Sequence, residues 1–290
     1  MVRVLVPCLL LAACTASTPD DADTDAVDSD TAVADSDTAL PPLDVVACLD
    51  DPTCLRPLVA AHRGAGPTTP ENSLAGLHAA ADAGVPIVEL DVRPTSDEVL
   101  VVMHDGDVDR TTDGTGDVGA MTAAEVAALH LDDGSAPPTF VALLEAAVAR
   151  GIVLYVDVKT DRLDLVVADI AAAQAHDHVL VRDGVDSLVR AAALDPTLRW
   201  LAAVEDADEL DGAVAALPGL QWVELASATP DADFVAAAHA RGLRVQQDAF
   251  LGDVTWLTTG TDAGWRRYLD TGVQLVQTDL AVELLDAIGQ

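Results

Sequence analysis

The connection between the second and third apolar runs is the feature that most restricts how this chain can fold. From residue 58 onward, short apolar runs alternate with alanine-rich stretches, several closed by glycine, as in AAADAG (79–84) and AAHARG (237–242). The strand-like runs are 58–61, 87–90, 99–103, 152–158, 178–182, 198–204, 222–226, 243–247 and 273–278. The stretches 73–83, 122–130, 139–149, 163–175, 186–193, 206–216 and 231–240 have helical spacing. Alternation of this kind predicts parallel βα units of the α/β class. Nine strands are one too many for a closed barrel of eight. Only DVRPTSDE (91–98) separates the second run from the third, too few residues for a crossover helix. The run 99–103 is therefore the return arm of a hairpin turning near Ser96 and Asp97. The other eight runs fit a (β/α)8 barrel with this small hairpin inserted at its C-terminal mouth. No second domain and no internal repeat is visible.

Sites in such barrels are built where the strands end. The first run ends in His62 and Arg63, and the hairpin returns His104 to the rim. The second carries Glu89 and Asp91, two apart and so on one face. The fourth carries Asp157 and Lys159, again two apart, and the last ends in Asp279. Inward carboxylates at Glu89, Asp91 and Asp157 would repel one another and call for a cation. An all-oxygen donor set suits Ca²⁺ or Mg²⁺ rather than zinc. Arg63 and Lys159 beside it would attract phosphate. Lys159 is the only lysine in the chain, in a sequence that otherwise uses arginine. Two histidines from different elements can serve as general acid and base. Together these groups describe phosphoryl transfer from a phosphodiester. His78, His130, His176, His178 and His239 lie on helical or surface stretches and receive no role. PENS (70–73) reads as a helix N-cap, and RTTDGTG (110–116) as a turn without P-loop chemistry.

The front of the chain is of another kind. Residues 1–13 read as a signal peptide, too short to span a bilayer. LAAC (11–14) resembles the lipobox of bacterial lipoproteins, which makes Cys14 the expected lipidation site. Residues 14–44 are rich in Asp, Thr and Ala with almost no large apolar groups, so they predict a disordered tether. Spaced aspartates there lack EF-hand spacing. The folded domain is then 45–290. Cys48 and Cys54 flank a turn and are expected to form a small loop disulfide in an oxidising envelope compartment. With 49 acidic residues against 15 basic ones and a net charge of −34, no basic footprint for nucleic acid exists. Localisation at the cell envelope, held to a membrane by the lipid anchor, follows as an expectation.

Five segments, HRG with PENS, VELDV, VVMHDGDVDRTTDGTG, DVK and GVQLVQTD, resemble the glycerophosphodiester phosphodiesterase family in order and spacing over 58–286. The resemblance implies a TIM barrel and hydrolysis of glycerophosphodiesters to an alcohol and sn-glycerol 3-phosphate. It further implies a divalent cation on Glu89, Asp91 and Asp157, His62 and His104 as the acid–base pair, and phosphate binding by Arg63 and Lys159. In the family mechanism a glycerol hydroxyl attacks phosphorus, one histidine protonates the leaving alcohol, and water opens the cyclic phosphate. The family usually has Glu where Asp157 stands. It also differs at RDG (182–184) and VQQDAF (245–250), changes expected on the alcohol side of the substrate. The alternatives are a lysophospholipase D-type enzyme acting on membrane lipids, or a non-catalytic envelope lipoprotein of the same fold.

Overall fold

The computed structural model describes residues 43–64, 66 and 68–290. The expected signal peptide, lipidated Cys14 and residues 14–42 of the tether lie outside the described residues. The last two tether residues pack with the domain instead, Leu43 against its lower core. Asp44 caps the first helix, α1 (Val45–Asp50), its carboxylate accepting from the Ala47 N–H at 3.0 Å.

Nine strands follow: β1 (Leu58–Ala61), β2 (Ile87–Pro94), β3 (Leu100–Val102), β4 (Val153–Val158), β5 (Val179–Gly184), β6 (Trp200–Val204), β7 (Trp222–Leu225), β8 (Arg244–Asp248) and β9 (Leu275–Thr278). All except β3 pair in parallel, and pairing of β1 with both β2 and β9 closes an eight-stranded barrel. β3 runs antiparallel to the distal end of β2, with Pro94 opposite Leu100. The short connection is thus a hairpin, and the Met103 N–H bonds the Asp91 carbonyl at 2.9 Å, which returns the next residue, His104, to the rim. The helices α2 (Leu74–Asp82), α3 (Ala123–Val126), α4 (Phe140–Arg150), α5 (Leu163–Ala172), α6 (Val185–Ala192), α7 (Leu210–Ala216), α8 (Ala232–His239), α9 (Phe250–Thr259), α10 (Ala263–Leu269) and α11 (Ala281–Ile288) complete the domain.

The stretch expected as a helix over 122–130 holds only four helical residues. A Thr122–Glu125 capping box starts it, and then the Asp113 N–H donates to the His130 carbonyl while the His130 N–H donates to the Asp113 carboxylate, tying the chain down over a small apolar cluster under the hairpin. α1, α9, α10 and α11 go beyond the helices that sequence spacing predicts.

Side chains alternate across the barrel wall as the two-residue period requires. Val59, Val88, Leu154 and Val181 pack outward against the helices. Leu58, Ile87, Val153, Leu180, Leu201 and Leu275 fill the interior at the N-terminal end, where Leu49 of α1 closes it. Arg244 fastens this plug. Its guanidinium lies 4.0 Å from the centre of the Trp222 ring, donates to the Cys48 carbonyl at 2.8 Å, and bonds the Leu49 carbonyl. A cation on the last carbonyls of a helix is favourable; the Leu49 carbonyl has only the Trp222 Nε1 as a further donor, at 3.4 Å. Cys48 and Cys54 are disulfide-bonded, holding the turn that leads from α1 into β1.

Removing the guanidinium while keeping the stem tests the plug. Arg244→Met should cost about 2–3 kcal/mol through unpaired carbonyls and a lost cation–π contact. A thermal melt should fall by roughly 5 °C or more. An unchanged melting temperature would show that the plug does not depend on Arg244.

Candidate active site

The inward parity that makes the lower barrel apolar turns polar two residues higher. Glu89 and Asp91 follow Ile87, and Asp157 follows Tyr155, with Asp91 and Asp157 facing each other across the β2–β4 register. Each of the three carboxylates offers an oxygen lying within 4.8 Å of the other two. Glu89 and Asp91 are almost entirely buried, 3% and 1% exposed. Burial, reinforced by Asp91 and then Asp157, pushes the Glu89 carboxyl well above its ordinary range. A buried carboxyl that resists ionisation, set among hard oxygen donors, fits a divalent cation.

Several cationic and polar groups hold this cluster together. Lys159 Nζ lies 2.5 Å from Asp157 and 3.3 Å from Asp91. Burial opposes the lysine's charge, but the two carboxylates outweigh it and hold its pKa above the usual value. The Arg63 N–H donates to Glu89 at 3.0 Å, and its guanidinium reaches Glu71 at 3.1 Å. Arg63 adopts a left-handed backbone, φ 55°, and so does Asn72, φ 53°. Asn72 exchanges two bonds with Asp91, its amide donating at 2.9 Å and its carbonyl accepting from the Asp91 N–H at 3.1 Å. Gly64, at φ 122°, passes so close to α2 that an added Cβ would sit 3.1 Å from Gly76 Cα. That approach brings the PENS turn onto the site. PENS therefore does more than cap: Ser73 caps α2, while Glu71 and Asn72 reach the cluster.

Both histidines are oriented in the same way. His62 Nδ1 is 2.7 Å from Asp279, and His104 Nδ1 is 2.7 Å from Asp105. An ionised carboxylate only accepts, so each Nδ1 carries a hydrogen and each Nε2 is left to exchange a proton with substrate. His62 also packs on Phe250, ring centres 4.8 Å apart. Asp279 is held in turn, because Asp253 accepts from its N–H at 2.9 Å and from Trp265 Nε1 at 2.7 Å. Gly252 makes room for that: a Cβ there would fall 2.1 Å from the Trp265 ring. On the other side, the Arg93 guanidinium donates twice to the His104 carbonyl, at 2.9 and 2.7 Å. Arg110 bridges Asp105 to Glu71. The hydrogen bonds from Arg110 and then His104 hold the Asp105 carboxyl far below the carboxylate range.

The structure thus places His62, Arg63, Glu89, Asp91, His104, Asp157 and Lys159 around one cavity of about 260 Å³. It also brings in Tyr155, Glu224 and Gln277, which sequence reasoning left aside, and Arg182 and Asp248, from the RDG and VQQDAF segments expected on the alcohol side. Arg182 corrects one expectation. Rather than belonging only to the alcohol side, it reaches Asp157 at 3.1 Å and Glu224 at 2.6 Å, so the change at 182–184 touches the carboxylate cluster itself. Burial and the neighbouring Glu224 push Asp248 up to about 6. A lone glutamate inside the apolar run WVELA was the available signal for Glu224. A second cavity, about 710 Å³, adjoins the first and shares His62, Arg63 and Phe250 with it.

A model of the glycerophosphoryl diester phosphodiesterase family matches residues 62–282. Human glycerophosphodiester phosphodiesterase 1 is 41% identical over 108 residues, 34% of this chain and 33% of that protein. The glycerophosphodiester phosphodiesterase of Caldanaerobacter subterraneus is 46% identical over 72 residues, 25% of this chain and 30% of that protein. The matched segments span about a third of the length of these curated relatives. Among solved structures, a glycerophosphodiester phosphodiesterase from Agrobacterium tumefaciens superposes with a TM-score of 0.67 at 25% identity, covering 79% of this chain and 99% of that one. An Oleispira antarctica phosphodiesterase, solved with the product sn-glycerol 3-phosphate, gives a TM-score of 0.69 at 23% identity, covering 82% and 99%, a likeness of fold.

The carboxylate cluster predicts stabilisation by a divalent cation. Ca²⁺ or Mg²⁺ at 100 times its dissociation constant should add about 2.7 kcal/mol, raising the melting temperature by roughly 5–10 °C. Glu89→Gln should lose most of that rise. An equal rise in the variant would place the cation elsewhere.

Proposed function

The chain belongs to the glycerophosphoryl diester phosphodiesterase family, and from that membership and the geometry of its mouth we propose that it hydrolyses glycerophosphodiesters to an alcohol and sn-glycerol 3-phosphate. The observation that carries the proposal is the pair of carboxylate-oriented histidines, His62 with Asp279 and His104 with Asp105, flanking three carboxylates that fit one cation. The product complex of the Oleispira antarctica phosphodiesterase supports the same substrate class.

Glu89, Asp91 and Asp157 would hold the cation, Ca²⁺ or Mg²⁺ on the chemistry of their oxygens. Bound there, it would supply charge neutralisation and Lewis-acid polarisation of a phosphoryl oxygen. Arg63 and Lys159 attract the phosphate and orient it. The lone pair of one histidine Nε2 takes the proton of the attacking hydroxyl. The other histidine, protonated, gives its proton to the departing alcohol. Asp279 and Asp105 fix the imidazole tautomers and stabilise the imidazolium form, and Asp253 and Arg110 act through them as positioning residues. Proton-transfer groups stand at every position where the family mechanism requires one, which favours catalysis over a binding-only lipoprotein. The front segment supports attachment by lipid at Cys14, at the cell envelope.

A product assay for glycerol 3-phosphate, run on glycerophosphocholine with and without added metal, tests the activity. His62→Ala and His104→Ala should each lower turnover at least about 100-fold without loss of fold, and wild-type rates in either would sink the assignment. Chelation by EDTA should abolish turnover, and full activity in its presence would remove the cation from the reaction. Cys14→Ser should move the protein from the membrane fraction to the soluble fraction; an unchanged distribution would refute the anchor.

A further inference from the structure

The larger cavity beside His62 has one apolar wall that a small polar head group does not use. Its wall from α9 carries Phe250, Val254 and Leu257, with Leu280 beyond β9 and Leu131 from the hairpin insertion opposite. Val254 is 56% exposed and Leu257 73%, and Leu251 on the same helix is 44% exposed. Exposed apolar groups are ordinary when scattered. Val254 and Leu257 are gathered with Phe250 along one side of a concave space of about 710 Å³ that His62 also lines. A cavity of this size that sets an apolar wall beside convergent polar groups, here including Arg63, Glu71, Arg110 and Asp132, is the usual form of a small-molecule subsite.

The two cavities divide the substrate between them. The smaller holds the carboxylate cluster, Lys159, Arg182 and both histidines, and so matches a phosphate with a polyol. The larger contains His62 but not His104, Glu89 or Asp157. With phosphate and glycerol in the smaller cavity, a group lying in the larger one would leave the phosphate past His62, which lines both cavities, and not past His104, which lines only the smaller. For a glycerophosphodiester, that is the alcohol to be released. Resting on the hydrolase reading above, we infer that this enzyme takes glycerophosphodiesters whose departing alcohol carries an alkyl or acyl chain, laid along Phe250, Val254 and Leu257. The bond broken is the P–O bond to that alcohol, water supplying hydroxyl to phosphorus and a proton to the alcohol overall. The apolar wall thus sets specificity without touching the reacting atoms.

The experiment compares sn-glycero-3-phosphoethanol with sn-glycero-3-phospho-octanol, the octyl ester kept below its aggregation threshold. Lysophosphatidylcholine serves as the third arm, with its chain on the glycerol side. The octyl ester should show kcat/KM at least about tenfold above the ethyl ester, a modest share of what methylenes gain in an apolar pocket. Val254→Asp and Leu257→Asp, both on the exposed face of α9, should erase that advantage and leave the ethyl ester's kcat/KM unchanged. Equal rates for the two esters in the wild type would overturn the inference while leaving the hydrolase reading intact. So would preference for lysophosphatidylcholine, which places the chain on the wrong side of phosphorus. Calorimetric binding of both esters separates the two readings if neither is turned over. Octyl binding about tenfold tighter, lost in Leu257→Asp, would uphold the subsite against the activity, and equal binding would overturn both.

Discussion

Mutual repulsion among Glu89, Asp91 and Asp157 is the constraint around which the rest of the site is arranged. At their separation, within 4.8 Å, each like-charge pair costs roughly 3.5 kcal/mol at an effective dielectric of about 20. Burial adds to that cost. Lys159, Arg63 and Arg182 lower it from three sides, and Asn72 satisfies Asp91 with a neutral amide rather than a further charge. The elevated Glu89 pKa indicates that these partners do not remove it all. The protein holds the carboxylates there because strand alternation and barrel closure leave them nowhere else to go. A divalent cation completes the balance.

Around that centre, the two histidines are placed by elements far apart in sequence. His62 depends on Asp279 at the end of β9, and Asp279 depends on Asp253 in α9, whose position requires Gly252 to admit the Trp265 ring. His104 depends on the β3 hairpin, with Arg93 on its carbonyl and Asp105 on its ring. Glu71 joins the two halves through Arg63 and Arg110. Orientation of the imidazoles is thus a property of the whole mouth, and α9 contributes Asp253 to it and Phe250, Val254 and Leu257 to the wall of the larger cavity.

Much of this was legible in the sequence because it depends on local periodicity. The eight-residue connection ruled out a crossover and identified the hairpin. Spacing of two placed Glu89 with Asp91 and Asp157 with Lys159 on one face. The same parity extends to Arg182 and Glu224, but each is a single charged residue whose partner is on another strand. Arg182 and Glu224 read as unrelated until the β5, β6 and β7 pairings bring them to a 2.6 Å contact. The N-cap reading of PENS was sound for Ser73 and incomplete for Glu71 and Asn72, because capping is a local interaction and contact with β2 is not.

The amino-acid sequence by itself determined the βα alternation, the hairpin, the inward face of each strand and the chemical types at the mouth, since all follow from spacing along one segment. Only the tertiary structure decided which carboxylate holds which histidine, that Arg182 reaches Asp157, and that α9 lays an apolar wall beside His62. Those depend on closing β1 against both β2 and β9 and on two helices inserted between β8 and β9. The reason is physical: side-chain direction is fixed by local backbone geometry, whereas partnership across a barrel is fixed by register and closure, which no single segment encodes.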